Sequence, residues 1–162
     1  MSGTGEHDAA LPADLVAALD GLDLDTKVGV TIQLLTVDED GWPRVALLSV
    51  GEVVALSAST LRFALWPGSH ATANLTRSRA GTLVLVHEGA AHSVRVQAAR
   101  GADLADPSPR AVFDARVQEH RSDAVAYATL TSGIVFELPD PTPVLQRWRE
   151  TVDLLLERGG AA

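Results

Sequence analysis

The stretch WPGSHATANLTR, Trp66 to Arg77, sets Ser69, His70 and Thr72 between an apolar run and a short helical pattern. Hydroxyls at such a junction, together with the first amides of a helix, hold an anion. Those amides have no intrahelical acceptor, and the helix dipole favours negative charge there. The same residue types also cap a helix. A Ser or Thr hydroxyl accepts from an amide of the first turn, and Pro67-Gly68 makes the turn before it. Both readings stand on the sequence. Upstream, Arg44 and Ser49 mark the two ends of RVALLS. Arg44 adds a cation to the anion reading, or is a solvated charge at a strand start beside an acidic turn.

Little other chemistry is present. The chain has no cysteine, which removes disulfides, thiolate nucleophiles and Cys-ligated metal centres. It contains no G-x-S-x-G elbow, no H-E-x-x-H, no P-loop and no G-x-G-x-x-G opening a helix. His87 and His92 flank the loop Glu88-Gly89-Ala90-Ala91, but two exposed histidines beside a turn read as solvated, so no metal is expected. His120 closes an expected helix, where its charge complements the dipole. Asp38, Glu39 and Asp40 read as a solvated turn, and no catalytic residue is assigned.

Composition narrows the partners. Thirteen Lys and Arg stand against 21 Asp and Glu, a formal net charge of -8, which repels nucleic-acid backbones and anionic membrane surfaces. With 46% hydrophobic residues in 162, the chain reads as one packed domain. The N-terminus has neither the basic start nor the apolar centre of a secretory signal, and no apolar run spans a membrane. A cytoplasmic protein is expected.

The elements that must position these residues follow from periodicity. Residues 1–10 read as loose. A helix over residues 11–20 carries Leu15, Val16 and Leu19 on one face, and Gly21 suits its C-terminal cap. Residues 28–37 read as a strand and DEDGWP as a turn. A strand from about Arg44, perturbed near Gly51, precedes a hairpin at SAST and a strand over residues 60–66. ATANLTRSR reads as a short helix. Residues 82–87 and 92–99 form the clearest hairpin. DPSPRAVFDARVQEH reads as a helix, with Asp106 or Ser108 as N-cap and Val112, Phe113, Arg116 and Val117 at helical spacing. AVAYATLTSGIVFEL reads as a strand. A last helix over residues 142–158 presents Val144, Leu145, Trp148, Val152, Leu155 and Leu156. Strands joined by hairpins, with helices added at the periphery, make the class mainly β or α+β, an antiparallel split barrel over residues 28–138.

Two stretches in this order resemble the FMN-binding split barrel of the pyridoxamine 5'-phosphate oxidase family. They are DGWPRVALLS, Asp40 to Ser49, and TLRFALWPGSHATANL, Thr60 to Leu75. The likeness covers about residues 28 to 99 and the strand expected at Ile134 to Leu138. It implies a homodimer that binds FMN at the subunit interface and an oxidoreductase acting on a small organic substrate. The positions it implies for the cofactor are Arg44, Ser49, Trp66, Ser69, His70, Thr72 and Asn74. The chain departs from the family pattern where a basic residue gives way to Ser49 and an Arg-Lys pair to His70-Ala71. Losing two charge-assisted bonds costs about 2 to 3 kcal/mol of phosphate binding. The thinned cations therefore keep an alternative open: a non-enzymatic split-barrel module for another anion, for a deazaflavin or for haem.

Overall fold

The computed structural model describes residues 9–105 and 108–158. Residues 1–8, most of the segment expected to be loose, and the N-cap candidate Asp106 lie outside them. Seven strands form one antiparallel sheet: β1 (Ile32–Val37), β2 (Pro43–Leu48), β3 (Val53–Ala55), β4 (Thr60–Leu65), β5 (Ala80–His87), β6 (Ala90–Arg100) and β7 (Ala111–Asp123). Their order is β2-β1-β5-β6-β7-β4-β3. The sheet curls into a split β-barrel flanked by α1 (Ala13–Ala18), α2 (His70–Ser78) and α3 (Pro141–Glu157). None of these helices is long and apolar enough to cross a membrane.

The inner face is built by alternation. Ile32 and Leu34 of β1, Leu83 and Leu85 of β5, Val94 and Val96 of β6, and Phe63 and Phe113 of β4 and β7 are all buried. Side chains alternate across a strand, so one face fills the barrel while the other meets water or a helix. α3 closes the outside with Trp148, Val152 and Leu155. Gly51 admits the Trp148 ring: a Cβ there would lie 2.2 Å from Trp148 Cγ. That close approach is the physical origin of the perturbation expected near Gly51. Arg62, on β4, ties the same region together. It donates to Asp114 Oδ1 on β7 at 2.6 Å and to the Leu155 carbonyl on α3 at 2.5 Å.

Two expectations are overturned. The helix expected after Ser108 is instead β7, paired with β6 from Arg100↔Phe113 to Ala91↔Asp123 and with β4 from Thr60↔Arg116 to Leu65↔Ala111. Phe113, Ala115 and Val117 point inward while Asp114, Arg116 and Gln118 are exposed, so a period of two ran beneath the helical spacing. Hydrogen bonding to a strand on each side decided between them. The strand expected in AVAYATLTSGIVFEL is not formed. Val125↔Ala128 and Val30↔Val135 are isolated bridges, and the segment is largely exposed, with Phe136 and Leu138 half-buried against the core. Smaller shifts trim β1 to Ile32 and extend β5 back to Ala80.

Candidate functional site

Ser69 is the N-cap of α2. Its hydroxyl accepts from the Thr72 amide at 3.1 Å and donates to Thr72 Oγ1 at 3.1 Å. The Trp66 carbonyl accepts from the Ser69 amide at 3.1 Å and from Thr72 Oγ1 at 2.7 Å. Together these bonds turn the chain from β4 into the helix. Asn74 is buried beneath, donating to Thr36 Oγ1 on β1 at 3.0 Å and accepting from Arg77 at 3.1 Å. His70 is exposed on the first helical turn. In the structure, then, these residues form a cap.

The cap also opens on a hollow of about 360 Å³ lined by Ser69, Thr72, Thr76, Arg77 and Arg100. The two arginines are the residues that sequence reasoning missed. Arg77 lies two helical turns beyond Ser69 on the same face, a spacing the sequence carries. Arg100 comes from the end of β6, and nothing local signals its approach.

The two cations differ in their partners. Arg100 grips Asp103 with two bonds, of 2.8 and 3.3 Å, and reaches Thr76 Oγ1 at 3.5 Å. The Arg100 guanidinium holds the Asp103 carboxyl below its ordinary range and is itself raised by that pairing. Arg77 donates to the Asn74 side-chain oxygen and to the Val37 carbonyl. Both of those acceptors are neutral, so its positive charge is left unmatched by them.

A second cleft, of about 450 Å³, lies between the end of β2 and α3 and is lined by Ser49, Glu52, Arg110, Arg147, Ile134 and Val135, among others. The Ser49 amide and hydroxyl both donate to Glu52 Oε2, at 2.7 and 3.0 Å. Burial lowers the pKa of Arg110, Glu52 opposes that shift, and Arg147 adds to it. The Arg110 guanidinium sits 5.2 Å from the centre of the Trp66 ring. Trp66 thereby joins the two hollows, its ring against the lining of one and its carbonyl bonded to the lining of the other.

Arg44 lines neither hollow. Its Nε bonds Asp38 Oδ2 at 3.2 Å in the β1–β2 turn, and the Trp42 amide with the Arg44 guanidinium holds Asp38 below the usual carboxylate range. Of the seven positions expected to hold a cofactor, Ser69 and Thr72 share one hollow and Ser49 lines the other. Trp66 stands between them, Asn74 lies beneath, His70 is exposed and Arg44 is tied to Asp38.

No family model matches the chain. It is 37% identical over 140 residues to the uncharacterised protein YclD of Bacillus subtilis, covering 86% of this chain and 91% of YclD. Among solved structures it is similar to a proposed pyridoxamine 5'-phosphate oxidase of Lactobacillus delbrueckii. That match has a TM-score of 0.56 and 21% identity, and covers 72% of this chain and 97% of the other. It is also similar to the Group A Streptococcus protein HupZ, with a TM-score of 0.55, 13% identity, and 78% and 100% of the two chains covered.

Proposed function

We propose that this chain, which belongs to one family with YclD of Bacillus subtilis and shares the split-barrel fold of a proposed pyridoxamine 5'-phosphate oxidase, is an FMN-binding homodimer. The observation that carries this reading is Arg77. It is a cation with neutral partners in the last turn of α2, and it lines the same open hollow as Ser69, the N-cap of that helix. A phosphate there gains a charge-assisted bond worth about 1.5 to 3 kcal/mol. Two neutral acceptors are released in exchange. Arg77 therefore stands in for cations that the sequence lacks at His70 and Ala71. FMN, when bound, supplies hydride transfer; the residues of this chain bind and orient it, and we propose an oxidoreductase acting on a small organic substrate.

The dimer is supported by an apolar face. Leu47 is 57% exposed, Ile134 47% and Val135 65%, and all three border the cleft that holds Ser49 and Arg110. A second subunit laid on this face removes that surface from water. Sedimentation equilibrium tests it directly: a dimer is expected, and a stable monomer contradicts the shared cleft.

A second reading rests on one observation: the Ser69 and Thr72 hydroxyls are already bonded to the cap itself. It makes the protein a binding module for another anion. Anaerobic addition of reduced nicotinamide to the FMN-loaded protein separates the two. Bleaching of the flavin absorbance supports the oxidoreductase, whereas bound flavin that stays oxidised with nicotinamide and artificial donors favours the module.

A further inference from the structure

We propose that Asp14, His87 and Glu88 form a binding site for a divalent first-row metal ion, zinc foremost, that pins α1 to the tip of the β5–β6 hairpin. The site shares no residue with either hollow described above.

Each of the three residues offers one ligand atom, and these atoms lie within 4.8 Å of one another. His87 Nε2 is 3.6 Å from Asp14 Oδ2, too far for a hydrogen bond. That nitrogen is buried and has no hydrogen-bond partner among the described residues. A shielded ring nitrogen with no hydrogen-bond partner among the described residues, 3.6 Å from one carboxylate and within 4.8 Å of a second, is placed to serve as a metal ligand. Ligand atoms around a tetrahedral zinc stand about 3.4 Å apart. Asp14 and Glu88 are exposed, so both carboxylates are free to swing inward over the remaining distance.

The backbone sets Glu88 in place at a cost. Glu88 has φ 47° and Gly89 φ 81°, a two-residue turn whose first position suits Gly, Asn or Asp. A glutamate there gives up conformational ease and sets a carboxylate beside His87. The turn is held from outside, where the Leu130 amide donates to the Gly89 carbonyl at 3.2 Å. Behind the site, His92 hydrogen bonds the His87 carbonyl at 3.3 Å with one ring nitrogen and His120 at 3.0 Å with the other. His92 is therefore a support for the strand end and not a fourth ligand.

One imidazole nitrogen and two carboxylate oxygens select a borderline divalent ion over magnesium or calcium, which prefer oxygen alone. Solvent completes the coordination, since the site is open on the carboxylate side.

The test is calorimetric titration of the full chain with zinc chloride in a non-chelating buffer, with His87→Gln, Glu88→Gly and His70→Gln alongside. One zinc per chain is expected, with a raised Tm. His87→Gln should weaken binding more than tenfold, and His70→Gln, away from the site, should leave it unchanged. Glu88→Gly relieves the turn, so it should hold or raise the metal-free Tm while also weakening zinc more than tenfold. That combination keeps the test valid if the histidine variant folds poorly. No saturable uptake up to millimolar zinc, or equal losses from His87→Gln and His70→Gln, would overturn the proposal and leave an adventitious ion only.

Discussion

Arg62, on β4, and Arg77, on α2, teach opposite lessons. Arg62 meets a carboxylate at 2.6 Å and a carbonyl at 2.5 Å, joining β4, β7 and α3. Its charge is matched and its place is structural. Arg77 meets two neutral oxygens beside an open hollow, so its charge remains free to be matched by a ligand. A buried or bonded arginine is not a binding residue by virtue of being present; what it already holds decides. The same criterion separates Arg100, closed on Asp103, from Arg77 within one hollow.

The comparison is broken or sharpened by substitution at each side. Arg62→Ala carries the largest expected effect on folding, about 2 to 3 kcal/mol of lost stability, because two bonds to a charged donor vanish. Asp114 is 56% exposed and can rehydrate, which keeps the loss below that of a fully buried pair. Denaturant unfolding measures it, and FMN affinity of the folded fraction should be unchanged. Arg77→Ala should invert that pattern, weakening FMN about tenfold to a hundredfold with a smaller loss of stability. Ser69→Ala should cost about 1 kcal/mol of stability through the lost cap, read as a lowered urea midpoint. His70→Arg places a cation on the exposed first turn of α2 and should tighten FMN about fivefold, close to 1 kcal/mol, in the same titration.

How much of this was legible in the sequence depends on whether the deciding partner is local. The start of α2 was readable because Ser69 and Thr72 bond to one another and to Trp66, with Pro67 and Gly68 in the turn between. The last helix was readable from its stripe, although Leu156 is 40% exposed and Thr151 is buried in its place on the inner face. β7 was misread because Val112, Phe113, Arg116 and Val117 satisfy a helical spacing while Phe113, Ala115 and Val117 satisfy a strand alternation, and the tie is broken only by β4 and β6. The arginines that line the two hollows follow the same rule. Arg77 was within reach of a helical-face argument from Ser69. Arg100 and Arg110 reach their hollows through strand pairing and a distant turn, which no window of sequence displays. His120, expected at a helix end, lies buried against His92 because β6 and β7 pair there.

The proposal that most needs testing is that Arg77, which lines one hollow with the α2 cap, holds FMN. The most direct measurement is a flavin-fluorescence titration of the wild-type chain beside Arg77→Ala. Saturable binding of one FMN per chain, weakened at least tenfold in the variant, is the result the account predicts. No quenching in the wild type, or equal affinity in both chains, would contradict it and place the ligand, or its phosphate, elsewhere.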